Sequence, residues 1–364
     1  MVWDHEAGGS NPLTPTIQHR YKIPEVKNKN NNGVMKEATY RMYRKQVLVT
    51  GGAGFIGSHL TRELLQRGYQ VTVLDNLSTG KIENIADLIA KEASDSKSAG
   101  KVNFVHGTIT DLPLLQKLFQ GMDFIFHQAA IPSVPRSIKE PLVIHEANIT
   151  GTLNVLLAAR DTKVRKVVFA SSSSVYGNTL TSSNGEDIIP NPLSPYAVTK
   201  LAGEHYCHVF QEIYGLSTIY LRYFNVYGPR QDPSSQYAAV IPLFIHQAYH
   251  DDPLIIFGDG KQTRDFVFVG DVVDANILAA ESDATGSFDI GSGERTTINR
   301  LAELIIELIG VEASRLYKEI RPGDVKHSFA DITRARHFGY DPQYSLLDGL
   351  KQTITSFFHE SRQG

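Results

Sequence analysis

The feature that most constrains this chain is a turn built from glycines. Gln46-Val47-Leu48-Val49-Thr50 runs straight into Gly51-Gly52-Ala53-Gly54-Phe55-Ile56-Gly57, and a helical pattern begins at about Ser58. A β-branched run, a turn nearly free of side chains and a helix, in that order, bring backbone close to a ligand. Gly51 permits the tight turn, Gly54 lets amides approach a pyrophosphate, and Gly57 permits close packing of helix on sheet. The helix N-terminus, around Phe55 and Ile56, favours negative charge. Asp75 ends the next predicted strand, where a carboxylate accepts hydrogen bonds from ribose hydroxyls and repels a 2′-phosphate. The stretch therefore predicts a dinucleotide site that takes NAD in preference to NADP.

Periodicity extends this into a fold. β-Branched runs at 46–50, 70–75, 102–106, 124–128 and 166–170 alternate with amphipathic stretches, the pattern of a doubly wound parallel α/β sheet with helices on both faces. After about Tyr223 the rhythm loosens, with helices expected over 239–250, 297–309 and 346–358. Residues 264–280 read as strand then helix and 286–291 as a strand. The expected organisation is a Rossmann domain over 42–224, with returns at about 264–280 and 286–291, and a smaller C-terminal α/β substrate domain over 225–364. Residues 1–41, with the polar run from Lys27 to Gly33, bury too little apolar surface to offset the entropy of ordering and are expected to be a disordered extension. Residues 91–101 read as a helix end and surface loop.

With 364 residues, 41% hydrophobic, the chain can bury a large core. A formal charge of −3 gives no basic footprint for nucleic acid or an anionic membrane, and neither is expected as a partner. No run approaches about 18 consecutive apolar residues. The single cysteine, Cys207, forms no internal disulfide and reads as a small core hydrophobe, which suits a reducing, cytoplasmic setting.

The chemistry is carried by residues spaced for one helix face and one strand end. Tyr196 and Lys200 stand four apart in Ser194-Pro195-Tyr196-Ala197-Val198-Thr199-Lys200, and Phe169-Ala170-Ser171-Ser172-Ser173-Ser174-Val175-Tyr176-Gly177 follows a predicted strand. Oxidising a secondary alcohol requires removal of the hydroxyl proton as hydride leaves for a nicotinamide. A phenol is a suitable base only if its pKa falls from about 10 toward 7, roughly 4 kcal/mol. An ammonium about 4 to 5 Å away is worth roughly 3 to 4 kcal/mol at an effective dielectric near 20, and the positive charge of an oxidised nicotinamide adds to it. Lys200 is expected to act on Tyr196 in this way, with Ser172 hydrogen-bonded to the reacting oxygen. No metal is called for.

The spacing Gly51-x-x-Gly54-x-x-Gly57 and the segment Leu74-Asp75-Asn76-Leu77-Ser78-Thr79-Gly80 resemble the extended short-chain dehydrogenases/reductases, the NAD-dependent epimerase/dehydratase family, and the resemblance runs from Lys45 to Phe358. It implies that Asn76, Ser78, Thr79, Gly80, Gln128, Ala129 and Ala130 join the cofactor site. Where the family has Asp-Ile beside the adenine, this chain has Thr108-Ile109, so Ile109 can pack on the ring but the carboxylate is missing. Asn148 matches the family's helix asparagine near the active site; taken alone it reads as a capping residue. Ser172 matches the catalytic serine, with Ser173 and Ser174 on the sugar side.

The segment Arg222-Tyr223-Phe224-Asn225-Val226-Tyr227-Gly228-Pro229-Arg230-Gln231 resembles the substrate segment of UDP-hexose epimerases, which places Tyr223 against the nicotinamide and Asn225 on a phosphate. Arg264 and Arg321 match the diphosphate arginines, whose planar fork suits bidentate bonds, and Asp324 matches the ribose carboxylate. Ser328 stands where epimerases restricted to glucose and galactose have tyrosine, leaving room for an N-acetyl group. The stretches around Ser133 and Val134, and around Ala239 and Val240, resemble epimerases of UDP-N-acetylhexosamines or their uronic acids. The implied activity is reversible 4-epimerisation of a UDP-hexose through a 4-keto intermediate with transient reduction of bound NAD. UDP-GlcNAc and UDP-GalNAc are the expected pair, UDP-Glc and UDP-Gal further substrates, and a homodimer the expected assembly. The nearest rivals are a UDP-glucose or UDP-uronic acid epimerase. A dehydratase or decarboxylase ranks lower because the serine segment lacks their acidic residue, and a non-catalytic NAD-binding sensor is disfavoured because Tyr196 and Lys200 are both present.

Overall fold

The computed structural model describes residues 44–89, 102–178, 188–233, 239–320 and 326–361. The expectations for 1–41, 91–101, Arg321 and Asp324 lie outside these residues. Strands β1 (Gln46–Thr50), β2 (Gln70–Asp75), β3 (Asn103–His106), β4 (Phe124–His127), β5 (Lys166–Ser172) and β6 (Thr218–Tyr223) are followed by the short β7 (Val226–Tyr227), β8 (Leu254–Phe257), β9 (Thr263–Arg264) and β10 (Val267–Phe268), then β11 (Gly286–Ile290), β12 (Thr296–Thr297) and β13 (Arg315–Lys318). The α-helices are α1 (Phe55–Gln66), α2 (Leu112–Leu118), α3 (Val134–Lys139), α4 (Pro141–His145), α5 (Gly151–Asp161), α6 (Pro195–Tyr214), α7 (Val240–Tyr249), α8 (Val269–Glu281), α9 (Ile298–Ile309), α10 (Thr333–Arg336) and α11 (Leu346–Ser361).

Seven strands form one parallel sheet in the order β11-β6-β5-β4-β1-β2-β3. The chain winds outward from β1 through β2 to β3, then crosses to β4 and winds the other way. The reversal between β1 and β4 opens a crevice at their carboxyl ends, where sheets of this kind receive ligands. Alternate strand residues feed two cores. Val47, Val49, Val71, Val73 and Phe126 pack with α1 and α8, while Leu48, Ile125, Val167 and Phe169 pack with α2, α5 and α6. Cys207 is buried in the second core, the place read for it from sequence. A third core joins α7, α9 and α11 through Phe244, Leu301, Ile305 and Leu350.

Two strand readings need correction. β5 runs on to Ser172, two residues past the expected end, and β6 was not read as a strand at all. Its sequence, TIYLRY, carries a charged Arg222 among buried residues, which breaks the apolar run that marks a buried strand; the charge is accommodated by a partner on α6 described below. The helix expected from 297 starts at Ile298, with Thr297 as its N-cap accepting a hydrogen bond from the Arg300 amide.

The continuous helical stretch Pro141–Asp161 is, among the described residues, the one long and apolar enough to cross a membrane. Ile144, Val155, Leu156, Ala158 and Ala159 are buried within it, as in a core helix.

Candidate active site

The crevice at the strand reversal is a cleft of about 1500 Å3, larger than a single small-molecule pocket and large enough for two nucleotide-sized ligands. At its floor Gly51 has φ +71°, and a Cβ there would lie 2.8 Å from the Ala129 amide nitrogen. A Cβ on Gly57 would lie 2.1 Å from the Gly51 carbonyl oxygen. Gly54 is the N-cap of α1 and brings no capping side chain, so the first-turn amides beside Phe55 and Ile56 are left to the cleft that these residues line. Asp75 is held at the tip of β2 by two amides: Ala53 donates to Oδ2 at 3.0 Å and Leu77 to Oδ1 at 2.8 Å. Asn76, Ser78 and Thr79 line the same end, and Gly80 lies behind, its Cα facing the Asp75 carboxylate and Ala53. A cradle without side chains, an uncapped helix end and a pinned carboxylate fit a dinucleotide. Just after β3, Ile109 is buried against Gly151, whereas the Thr108 hydroxyl turns into its own loop, 2.9 Å from Thr110 Oγ1.

Gln128, Ala129, Ala130 and Tyr223 line the cleft at the ends of β4 and β6. Asn276 of α8 fixes this end. It donates to the Tyr223 hydroxyl at 2.8 Å and to the Val272 carbonyl at 2.7 Å, and it accepts from Gln128 Nε2 at 2.9 Å. Sequence reasoning did not find Asn276; an amide in the otherwise apolar run of α8 was the available signal.

Ser172, Tyr196 and Lys200 meet at the same end of the cleft. α6 starts where the chemistry requires because Ser194 caps it, accepting from the Ala197 amide at 3.2 Å, with Pro195 in the first turn and Gly215 in the left-handed region at its end. Ser172 Oγ accepts from the Ser174 amide at 3.2 Å and lines the cleft together with Tyr196. Lys200 Nζ donates to the Ala170 carbonyl at 2.7 Å and lies 5.9 Å from the centre of the Tyr196 ring. Burial pushes the Tyr196 phenol up to about 12, with the Ser172 hydroxyl pulling the other way. Burial also pushes the Lys200 ammonium down to about 8, opposed by the Glu204 carboxylate. With its proton bound and the ammonium engaged by a carbonyl, the phenol is not made acidic by the protein groups alone.

Asn148 is not a cap. It sits on a turn of π-helix, Glu146–Thr150, a distortion that often marks functional sites. Its side chain accepts from the Ile131 amide at 2.9 Å and donates to Thr199 at 3.1 Å, tying the loop after β4 to α6 beside Lys200.

Val134, Ser173, Ser174, Asn225, Ala239, Arg264 and Ser328 also line the cleft. Asn225 Nδ2 donates to the Asp265 carbonyl at 2.8 Å, and the buried Asp265 carboxylate gathers the amides of Ser292, Gly293 and Ala330. Val240 lines a smaller adjoining cavity of about 260 Å3. Ser133 does not line the cleft; its hydroxyl caps α3, accepting from the Arg136 amide at 3.2 Å. Asp265, like Asn276, was missed, since its partners lie 27 and more residues away in sequence.

A side-chain-free phosphate cradle at the reversal of a parallel sheet, with a serine, a tyrosine and a lysine converging at its far end, defines a dinucleotide-dependent α/β enzyme. The chain belongs to the NAD dependent epimerase/dehydratase family, whose model matches residues 47–291. It is 39% identical to a putative UDP-glucose 4-epimerase of Methanocaldococcus jannaschii, over 87% of this chain and 99% of that one. Among solved structures, UDP-N-acetylglucosamine 4-epimerase from Methanobrevibacter ruminantium, in complex with UDP-N-acetylmuramic acid, is 40% identical, covers 88% of this chain and 100% of its own, and superposes with a TM-score of 0.81. UDP-glucuronic acid 4-epimerase from Bacillus cereus, in complex with UDP-glucuronic acid and NAD, is 35% identical over 86% of this chain and 99% of its own, with a TM-score of 0.78. A UDP-N-acetyl-alpha-D-glucosaminuronate decarboxylase of Bacillus cytotoxicus is also related, at 35% identity over 86% of this chain and 98% of that one.

Proposed function

We propose that this chain interconverts UDP-sugars epimeric at C4, with UDP-GlcNAc and UDP-GalNAc as the preferred pair and UDP-Glc and UDP-Gal as further substrates. The observation that carries the reading is the convergence of Ser172, Tyr196 and Lys200 on one end of a cleft with room for both cofactor and nucleotide sugar. Bound NAD supplies a hydride acceptor and a positive charge beside the phenol. Tyr196 takes the proton from the 4-hydroxyl and later returns it, Ser172 holds the reacting oxygen, and Lys200 offsets the negative charge that develops on the phenol. The resulting 4-keto sugar turns about its phosphate link so that hydrogen returns to the opposite face. Asn225 and Arg264 hold the diphosphate, together with Arg321, and Asp324 holds the uridine ribose. Ser173 and Ser174 stand where an acid would be needed for elimination or decarboxylation, which favours simple inversion. Incubating the purified protein with a panel of UDP-sugars, without added cofactor, is expected to give the C4 epimers; release of water or carbon dioxide instead would point to the rival reactions. Turnover confined to UDP-glucose or UDP-glucuronate would replace the substrate assignment with the corresponding epimerase.

Ser328 is the residue we assign to the 2-substituent. It is buried at the cleft wall, its amide bonded to the Thr263 carbonyl at 3.1 Å, so a larger side chain there is expected to take up room at that wall. Ser328→Tyr is expected to lower turnover of UDP-GlcNAc by about tenfold or more while sparing UDP-Glc, the scale on which a hydrophobic-sized group is discriminated. Equal turnover of both substrates in the variant would remove Ser328 from that role.

We also propose a homodimer through the helices that expose apolar side chains away from the cores. The helices in question run over 148–160 and 196–213; on α6, Ile213 is 68% exposed and Val198 and Val209 are exposed along the same helix. Sedimentation equilibrium should return twice the chain mass; a monomer at micromolar concentration would contradict the assignment.

A further inference from the structure

The reaction proposed above uses Ser172, Tyr196 and Lys200 and leaves unused a buried chain of charges directly behind them. Glu204 follows Lys200 by one turn of α6, and the two reach adjacent residues of β5: Lys200 Nζ donates to the Ala170 carbonyl at 2.7 Å, and Ser171 Oγ donates to Glu204 Oε1. Arg222 of β6 grips the same carboxylate in a two-pronged pair, Nε to Oε1 at 2.9 Å and Nη2 to Oε2 at 2.7 Å. Its remaining arm donates to the Tyr176 hydroxyl at 2.7 Å, which donates to Asp289 of β11 at 2.7 Å. Lys200, Glu204, Arg222 and Asp289 are all buried, and their charges alternate in sign away from the catalytic end.

Stability does not by itself call for such a set, because buried ion pairs exchange for apolar groups at little cost. The surroundings of Lys200 suggest what it is for. Its own helix presents Tyr196 and Glu204, and β5 presents the Ala170 carbonyl and the Phe169 ring, 5.1 Å away. From β4 comes His127, bonded to Thr50 and Thr152; burial, and then the charge of Lys200, pushes its imidazole down to about 3, so it is neutral. Glu204 is the one negative charge in this set. Without it burial favours the neutral amine, which cannot offset a phenolate.

Resting on the reaction assigned above, we propose that Glu204 is a positioning residue: anchored to the sheet by Arg222, it supplies the fixed negative charge that keeps Lys200 an ammonium while Tyr196 gives up its proton. Glu204→Gln keeps the size of the side chain and an acceptor for Ser171 but leaves Arg222 buried and unpaired, so the double variant Glu204→Gln/Arg222→Met is made alongside it to remove the pair together and preserve folding. The Glu204 carboxylate is the charge that opposes the effect of burial on Lys200, so its loss dominates in both.

The first readout needs no turnover. In protein labelled at the lysine ε-carbon, with the Lys200 signal assigned by its loss in Lys200→Met, the midpoint of the Lys200 titration is expected to fall by about one pH unit or more in both variants. The second readout is the pH profile of kcat/KM, whose alkaline limb is expected to move down by a similar amount, while Glu204→Asp, which keeps the charge, holds the limb near its original place. A Lys200 midpoint unchanged in the folded double variant overturns the proposal. So does a Glu204→Gln enzyme whose rate falls by the same factor at every pH, because that is the behaviour of a structural residue. Should the wild-type protein epimerise no UDP-sugar, the reaction assignment fails while the lysine titration still decides the role of Glu204.

Discussion

Replacement of Tyr196 by phenylalanine is expected to reduce epimer formation by about a thousandfold, within the range lost when a positioned acid–base group is removed. The ring is expected to pack as before, since only the hydroxyl is deleted. The variant should therefore fold and still carry NAD, with the loss falling on kcat. Burial holds the wild-type phenol near 12, so the hydroxyl becomes a base only once positive charge and a substrate hydroxyl stand beside it. Two measurements check this together: the NAD content of the purified variant, and the rate of C4 inversion with saturating UDP-sugar. Inversion at the wild-type rate would dismiss Tyr196 as the base.

The second large effect is expected at the phosphate cradle. In Gly57→Ala the new methyl group would sit 2.1 Å from the Gly51 carbonyl oxygen, 2.8 Å from the Gly51 carbonyl carbon and 2.9 Å from the Gly52 Cα. All three are backbone atoms, so no side-chain rotation relieves the clash; the turn must open or the helix must shift. Overpacking of this kind costs about 1 to 3 kcal/mol, and a displacement of about 1 Å in a positioning element costs about a hundredfold in function. NAD should be lost on gel filtration, and the thermal midpoint should fall. Retention of NAD at wild-type affinity would show that the phosphates do not rest on this turn.

The parts of the site that sequence revealed are those whose chemistry is local. Strand β1, the glycine turn and α1 are contiguous, Asp75 ends the next strand, and Ser194, Pro195, Tyr196 and Lys200 lie within one helix start. What escaped depends on distant partners. Arg222 disguised β6 because its charge is matched by Glu204, 18 residues earlier on another element. Asn276 reaches Gln128 across 148 residues. Ser133 resembled a substrate residue in its segment, yet its hydroxyl is committed to the end of α3. Spacing places a lysine near a phenol, but the depth of burial that pushes the Tyr196 phenol up and the Lys200 ammonium down is not written in spacing.

The path of the backbone between lobes has a consequence for turnover. The polypeptide departs after β6, comes back as α8 and β11 to extend the main sheet, then departs again for α9. After α9 it packs on the main sheet once more through α10 and leaves again for α11, so five passages of chain join the sheet to the core of α7, α9 and α11, where a swinging jaw needs only one. Opening wide would require all five to bend in concert; on the reaction proposed above, the sugar is then expected to pivot inside a space of nearly fixed width, with the dinucleotide held beneath it between cycles.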